Sequence, residues 1–316
     1  MNPVRSHIRN FWRALFILIL LGTAWFFYKE MRGNWEALQL ADLQVRTWGV
    51  LIALALVVAS YFLVTVVWYY GVNAHPSSET VSLTESYAII NTAQMTKYLP
   101  GKIWSYTLQT ILTARKGVSS SYLLYLNLLI ALSLIFSACL FGTMFVVAYS
   151  HRIPRALSVP MFLAFSAAYF GFVFLNGSVF KVIVQLGNRV FRRDVVFFEL
   201  PLPFLLKMQA ALLFSNILFG LAGFAACYGI GQDLPVEMVF PVSAATLFSD
   251  ILGFVMFLSP GGLGIREGTM FFLLDGITGK RVALLLPLAL RIITIASDLM
   301  LGVTGFMLLQ KCKRKK

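Results

Sequence analysis

Leu258-Ser259-Pro260-Gly261-Gly262-Leu263-Gly264-Ile265-Arg266-Glu267-Gly268 interrupts an otherwise apolar stretch, Val239–Ile277. Proline removes a backbone donor and clashes with the preceding turn, and glycine permits positive φ. A helix should therefore end near Pro260 and another begin after the glycines. Tyr98-Leu99-Pro100-Gly101-Lys102-Ile103-Trp104 breaks a second apolar stretch, Glu85–Thr113, in the same way. Broken backbone at bilayer depth survives only where protein or a watery cavity satisfies its polar groups. Each stretch thus reads as a re-entrant helical hairpin that enters and leaves on one side. Residue pattern alone leaves a second reading open, two ordinary kinked spans.

The rest of the chain explains why a bilayer enters at all. Of 316 residues, 59% are hydrophobic and 12% charged, against roughly 25% charged in soluble domains. No stretch is polar enough for a soluble domain, so a single membrane domain over residues 1–316 is expected. Uncharged runs that reach the roughly 20 residues of a spanning helix are Phe11–Tyr28, Trp48–Tyr70, Tyr122–Tyr149, Leu157–Phe180, Phe204–Tyr228 and Val282–Leu309. The expected fold is all-α and polytopic, with about six full transmembrane helices plus the two hairpins. The first run follows Arg5, Arg9 and Arg13 but ends in Trp25-Phe26-Phe27-Tyr28, a poor cleavage site, so it reads as a retained anchor.

Lys and Arg set the orientation. Fifteen fall on one side, including Arg5, Arg9, Arg13, Arg115, Lys116, Arg189, Arg192, Arg193 and the tail Lys311–Lys316, against seven on the other. By the positive-inside rule both termini are cytoplasmic, in a cell (inner) membrane. The net charge of +13 sits in short clusters beside apolar runs, which argues against nucleic acid as a partner. Gly187–Glu199 reads as a surface amphipathic helix. Cys139, Cys227, Cys312, His7, His75 and His151 show no metal or disulfide spacing, and no cofactor is expected.

Pro100 and Pro260 lie 160 residues apart (260 − 100). Each broken stretch is preceded by two spans and followed by one, which divides the chain into repeat A, about 10–150, and repeat B, about 155–310. Three full crossings per repeat invert the second repeat relative to the first, as in many transporters whose sites form from discontinuous helices at the repeat interface.

Charged residues inside these segments are the candidate site. Lys97, Lys102, Arg266 and Arg291 stand against Glu85, Asp250, Glu267 and Asp298. Each costs roughly 2.5–3.5 kcal/mol at a helix centre on insertion scales, so each should be paired or solvated inside the bundle. One account is structural: they neutralise one another and pin the repeats together. The other gives Lys97, Pro100, Gly101 and Lys102 from the first break, and Pro260, Gly261, Gly262, Gly264, Arg266 and Glu267 from the second, to an anionic substrate. Arg266 would lie in the first turn after the break, where free N–H groups and its own fork favour phosphate. Glu85, Asp250, Arg291 and Asp298 are then candidates for charge pairing or coupling. Glu267 reads equally as a helix-start carboxylate or a proton carrier. Asn91, Gln94 and Gln109 can bond a head group or join helices.

The stretches Lys97-Tyr98-Leu99-Pro100-Gly101-Lys102-Ile103-Trp104 and Ser259-Pro260-Gly261-Gly262-Leu263-Gly264-Ile265-Arg266-Glu267-Gly268 resemble the paired signatures of the lysylphosphatidylglycerol synthase transmembrane, or flippase-like, family. The resemblance covers nearly the whole chain and implies lipid translocation between leaflets. Some members are associated with polyprenyl-linked sugars. The chain reaches Lys316 directly after the last span, so the family's aminoacyl-transfer domain is not expected here. The expected function is a flippase or scramblase-like transporter of an anionic phospholipid or polyprenyl-phosphate-linked lipid, with membrane lipids as partners. The alternatives are an intramembrane enzyme acting on a lipid phosphate and a non-transporting partner of a glycosyltransferase. No nucleophile elbow, zinc signature or Walker motif supports an enzyme or an ATPase.

Overall fold

The computed structural model describes residues 32, 44–75, 79–98, 104–149, 154–191, 198, 200–255, 262 and 264–314. These residues are overwhelmingly helical and contain no strand. In chain order the helices are α1 (Thr47–Asn73), α2 (Leu83–Gln94), α3 (Trp104–Thr113), α4 (Ser120–Tyr149), α5 (Arg155–Phe174), α6 (Asn176–Phe191), α7 (Leu202–Gly229), α8 (Val239–Val255), α9 (Ile265–Thr278) and α10 (Lys280–Arg314). Six of the described helical segments are long and apolar enough to cross a membrane: Thr47–Asn73, Ser120–Tyr149, Arg155–Phe174, Leu202–Gly229, Val236–Val255 and Lys280–Lys311. The protein is a multi-pass membrane protein. Its outward faces carry Ile292, Leu163 and Phe306, each more than half exposed, which only a lipid solvent makes unremarkable.

The expected segments fare differently in the structure. Phe11–Tyr28 lies outside the described residues. The run Leu157–Phe180 is not one span, because α5 ends at Phe174 and α6 starts at Asn176. Asn176-Gly177-Ser178 supplies the break, since Gly is a poor helix former and Asn and Ser compete for backbone bonds. The described amphipathic helix is Asn176–Phe191, and residues 192–197 and 199 of the expected Gly187–Glu199 lie outside the described residues; apolar Val179, Phe180, Ile183, Val184, Val190 and Phe191 recur at helical spacing beside Lys181 and Arg189. Lastly, Val236–Val255 is itself long enough to cross, although the sequence presented it as half of a hairpin; length alone does not separate entering from crossing.

Helices α1 and α7 form the central seam, and they run antiparallel. Near the start of α1, Gly49 sits so close to Gly229 at the end of α7 that a Cβ would collide with Gly229 backbone. The Arg46 N–H donates to the Gly229 carbonyl at 2.9 Å. Farther along, Ser215 Oγ donates to the Ser60 carbonyl at 3.0 Å, leaving the Ser60 hydroxyl to donate to Ser215 Oγ at 2.9 Å. Small residues and interhelical hydrogen bonds replace the hydrophobic drive that lipid cannot supply. Outside the seam, Arg46 forms a two-pronged ion pair with Asp233, its Nη2 at 2.7 Å from Oδ2. That hydrogen bond holds the Asp233 carboxyl below its ordinary range.

The other helices close around this seam. α4 is tied to α7 by Gln209 Nε2 donating to Ser133 Oγ and Asn216 Nδ2 donating to Ser137 Oγ, both at 2.7 Å. α8 packs on α4, with Gly142 against the Phe248 ring. α2 packs on α10, with Gly302 against Met95 at the end of α2 and Tyr87 Oη 2.7 Å from Thr304 Oγ1. α2 also packs on α1 and α3, and α8 on α7 and α9.

Candidate functional site

A cavity of about 290 Å³ opens between the two broken segments. α1 contributes Tyr61 and Trp68, α2 Asn91 and Gln94, α3 Tyr106 and Gln109, and α4 Asn127. From the other half come Asp250 and Gly253 of α8, Gly262, Arg266 of α9, and Arg291, Thr294 and Asp298 of α10. The volume lies near the lower end for small-molecule sites, roughly 300–1,000 Å³. It has room for a small polar group.

Glycine geometry places Arg266. Gly262 has φ 72° and Gly264 φ 87°, a region that L side chains rarely adopt. A Cβ on Gly262 would lie 2.9 Å from Gly253 Cα, and one on Gly253 would lie 3.1 Å from Arg266 Cβ. Bare backbone on both sides therefore brings the start of α9 against the end of α8. Arg266, only 6% exposed, then reaches Asp250 one turn earlier on α8, Nη1 to Oδ1 2.8 Å. Its guanidinium carbon lies 5.7 Å from the centre of the Phe219 ring. The remaining side-on edge, Nε and Nη2, is buried and has no hydrogen-bond partner. Those two N–H groups form the fork that matches a carboxylate or phosphate.

Glu267 points elsewhere, as adjacent helical residues must. Its Oε2 accepts the Gly264 N–H at 2.6 Å, and its Oε1 lies 3.8 Å from Arg291 Nη1. It is thus the helix-start carboxylate of α9, buried at 5% exposure. Asp298 is equally buried and lines the cavity two turns after Arg291.

The first break is less fully seen. Pro100, Gly101, Lys102, Pro260 and Gly261 lie outside the described residues. Lys97 lies in the 3₁₀ turn Met95–Tyr98, with its side chain outside the description. Glu85 does not reach the cavity. Its carboxylate accepts the Ser82 N–H at 3.0 Å, closing a capping box at the start of α2, and pairs with Lys116 at 3.1 Å. Residues 85 and 116 meet, a proximity that linear spacing conceals.

Asn127, Tyr61 and Trp68 were not evident as site residues because each lies within a long, strongly apolar helix. Gln109 Oε1 and Asn127 Nδ2 are buried without hydrogen-bond partners, an acceptor and a donor within one cavity. Trp104 stays outside it, 48% exposed, whereas Tyr106 lines the wall. No cluster of His, Cys, Asp or Glu among the described residues could hold a metal. Comparison with protein-family models, curated proteins and solved structures finds no match to this chain.

Proposed function

We propose that this protein is a flippase or scramblase-like transporter that moves an anionic phospholipid or polyprenyl-phosphate-linked lipid between leaflets. The carrying observation is the free, buried Nε/Nη2 edge of Arg266 in a head-group-sized cavity. A buried cationic fork left open is costly unless an anion completes it. The resemblance of the two Pro-Gly motifs to the flippase-like family points the same way. An enzyme acting on a lipid phosphate is less well supported, since no His or Cys is among the described residues that line the cavity.

The transport reading goes with an inverted repeat that pairs α1 with α7, α2 with α8, α3 with α9 and α4 with α10. Exchange of the halves turns each packing pair into another: α2 on α10 becomes α8 on α4, and α2 on α3 becomes α8 on α9. Gly142 against Phe248 has its counterpart in Gly302 against Met95, and the two glycines are 160 residues apart (302 − 142). The antiparallel seam, where Ser60 meets Ser215, is what a two-fold axis in the membrane plane requires.

Re-entrant hairpins are supported by length and packing. α2, α3 and α9 have 12, 10 and 14 residues, or about 15–21 Å at 1.5 Å per residue, against a core of roughly 30 Å. With both termini cytoplasmic in a cell (inner) membrane, as the charge bias favours, the second hairpin opens outward. Single cysteines at Glu237 and Lys280 in a cysteine-free background should then both react with an impermeant thiol reagent added outside intact cells. Labelling from opposite sides would show a full crossing instead.

Reconstitution tests the function directly. Liposomes holding the purified protein should translocate labelled phosphatidylglycerol or polyprenyl phosphate faster than labelled phosphatidylcholine. Chemical conversion of the lipid would favour the enzyme, and neither movement nor conversion would favour a non-transporting partner of a glycosyltransferase.

A further inference from the structure

The cavity is lopsided. Among the described residues, every charged side chain that lines it comes from α8, α9 or α10, namely Asp250, Arg266, Arg291 and Asp298. Helices α1 to α4 contribute only neutral groups to its wall. Three of these are polar side chains with a buried atom that has no hydrogen-bond partner: Trp68 Nε1, Gln109 Oε1 and Asn127 Nδ2. Their residues are 1%, 3% and 7% exposed. The amide of Asn91 differs, because its Nδ2 donates to the Tyr87 carbonyl of its own helix at 2.9 Å. α4, which carries Asn127, packs on both α1 and α3, which carry the other two.

A buried donor or acceptor left unpaired costs its full desolvation, so these atoms define what a ligand must bring. Trp68 and Asn127 present N–H groups and call for an acceptor, while Gln109 presents a carbonyl and calls for a donor. An ammonium only donates and would face two N–H dipoles of its own sign. A carboxylate or second phosphate only accepts and would face the Gln109 carbonyl. A trimethylammonium does neither. A hydroxyl does both, and a group with several hydroxyls meets separate donor and acceptor positions at once. Resting on the transport reading above, we propose that Trp68, Gln109 and Asn127 form a hydroxyl-reading subsite, so that the head group is a neutral polyol esterified to the phosphate on Arg266. Glycerol and a sugar share this chemistry.

The test compares dihexanoyl phosphatidylglycerol with dihexanoyl phosphatidylpropanol. Both are phosphodiesters with one negative charge and a three-carbon head, but only the first carries hydroxyls there. In calorimetric titration of the full chain in neutral detergent, wild type should bind phosphatidylglycerol at least about tenfold more tightly. Gln109→Met and Asn127→Leu, apolar substitutions of similar size, should each cut that ratio to about threefold or less, because one hydroxyl partner is lost. They should do so by weakening phosphatidylglycerol alone, with phosphatidylpropanol bound as by wild type. A merely structural role for these amides would weaken both lipids together and keep the ratio, which overturns the subsite. If Asn127→Leu does not fold, Gln109→Met, on another helix, decides. Equal affinity of wild type for the two lipids means that water serves the three atoms as well as a head group does; it overturns the polyol assignment and leaves the transport reading standing. Failure to bind either lipid overturns both. Citronellyl phosphoglucose, a phosphodiester that carries a hexose, separates the two sources: binding tighter than phosphatidylglycerol identifies a sugar, and weaker binding a glycerol.

Discussion

Arg266→Gln should abolish most anionic-lipid translocation in proteoliposomes, by about 30-fold or more. Truncating one partner of a buried, hydrogen-bonded charge pair costs roughly 2–5 kcal/mol, and about 1.4 kcal/mol is tenfold. Arg266→Lys keeps the charge but presents no planar fork, so it should fall between wild type and Gln. The glutamine variant also strands Asp250 without its partner, which by itself lowers folded yield. Asp250→Asn added to Arg266→Gln should restore monodisperse yield without restoring transport. A purely structural ion pair predicts that both return together. Full translocation by well-folded Arg266→Gln would remove the phosphate from this fork.

Gly49→Val should be the most damaging substitution away from the cavity. Its first added carbon would meet the backbone N and Cα of Gly229, not the end of a flexible side chain. Backbone cannot step aside, so α1 and α7 must separate, and the Arg46 N–H to Gly229 carbonyl bond lengthens with them. Overpacking typically costs about 1–3 kcal/mol, and a collision with backbone should lie at or above the top of that range. Gly171→Val on α5 is the matched control, because a Cβ there meets nothing within 4 Å. Fluorescence-detected size exclusion after a heating series should show a large loss for Gly49→Val and little change for Gly171→Val. Equal heat resistance of the two would mean that the seam is not tightly packed.

Uncharged length was legible because a bilayer demands it, and α1, α4, α7 and α10 lie where the apolar runs lie. Arg266, Asp250, Arg291 and Asp298 were legible as residues in need of partners because intramembrane charge is too costly to leave unplaced; that they line one cavity is seen only in the fold. Asn127 was not: a single amide in an apolar helix costs little and joins helices as often as it binds anything. Glu85 was legible as a charge in need of a partner, but which partner was not: only folding reveals that Lys116 meets it at the start of α2, away from the cavity. The end of α5 was hidden because Asn176-Gly177-Ser178 is too short an interruption to register against the apolar residues on either side.

The crossed packing of arms also constrains how the chain is made. α2 lies against α10, yet Lys280, where α10 begins, follows Gln94 by 186 residues (280 − 94). At roughly 5–20 residues per second, ribosomes leave α2 without that neighbour for about 10–40 s. By contrast, α8 finds α4 already synthesised and never waits. During this interval α2 has α1 and α3 to pack on, with the Gly302 and Gly305 face of α10 still unmade. An early helix is therefore late to mature, because α2 completes its packing only after α10 has left the ribosome.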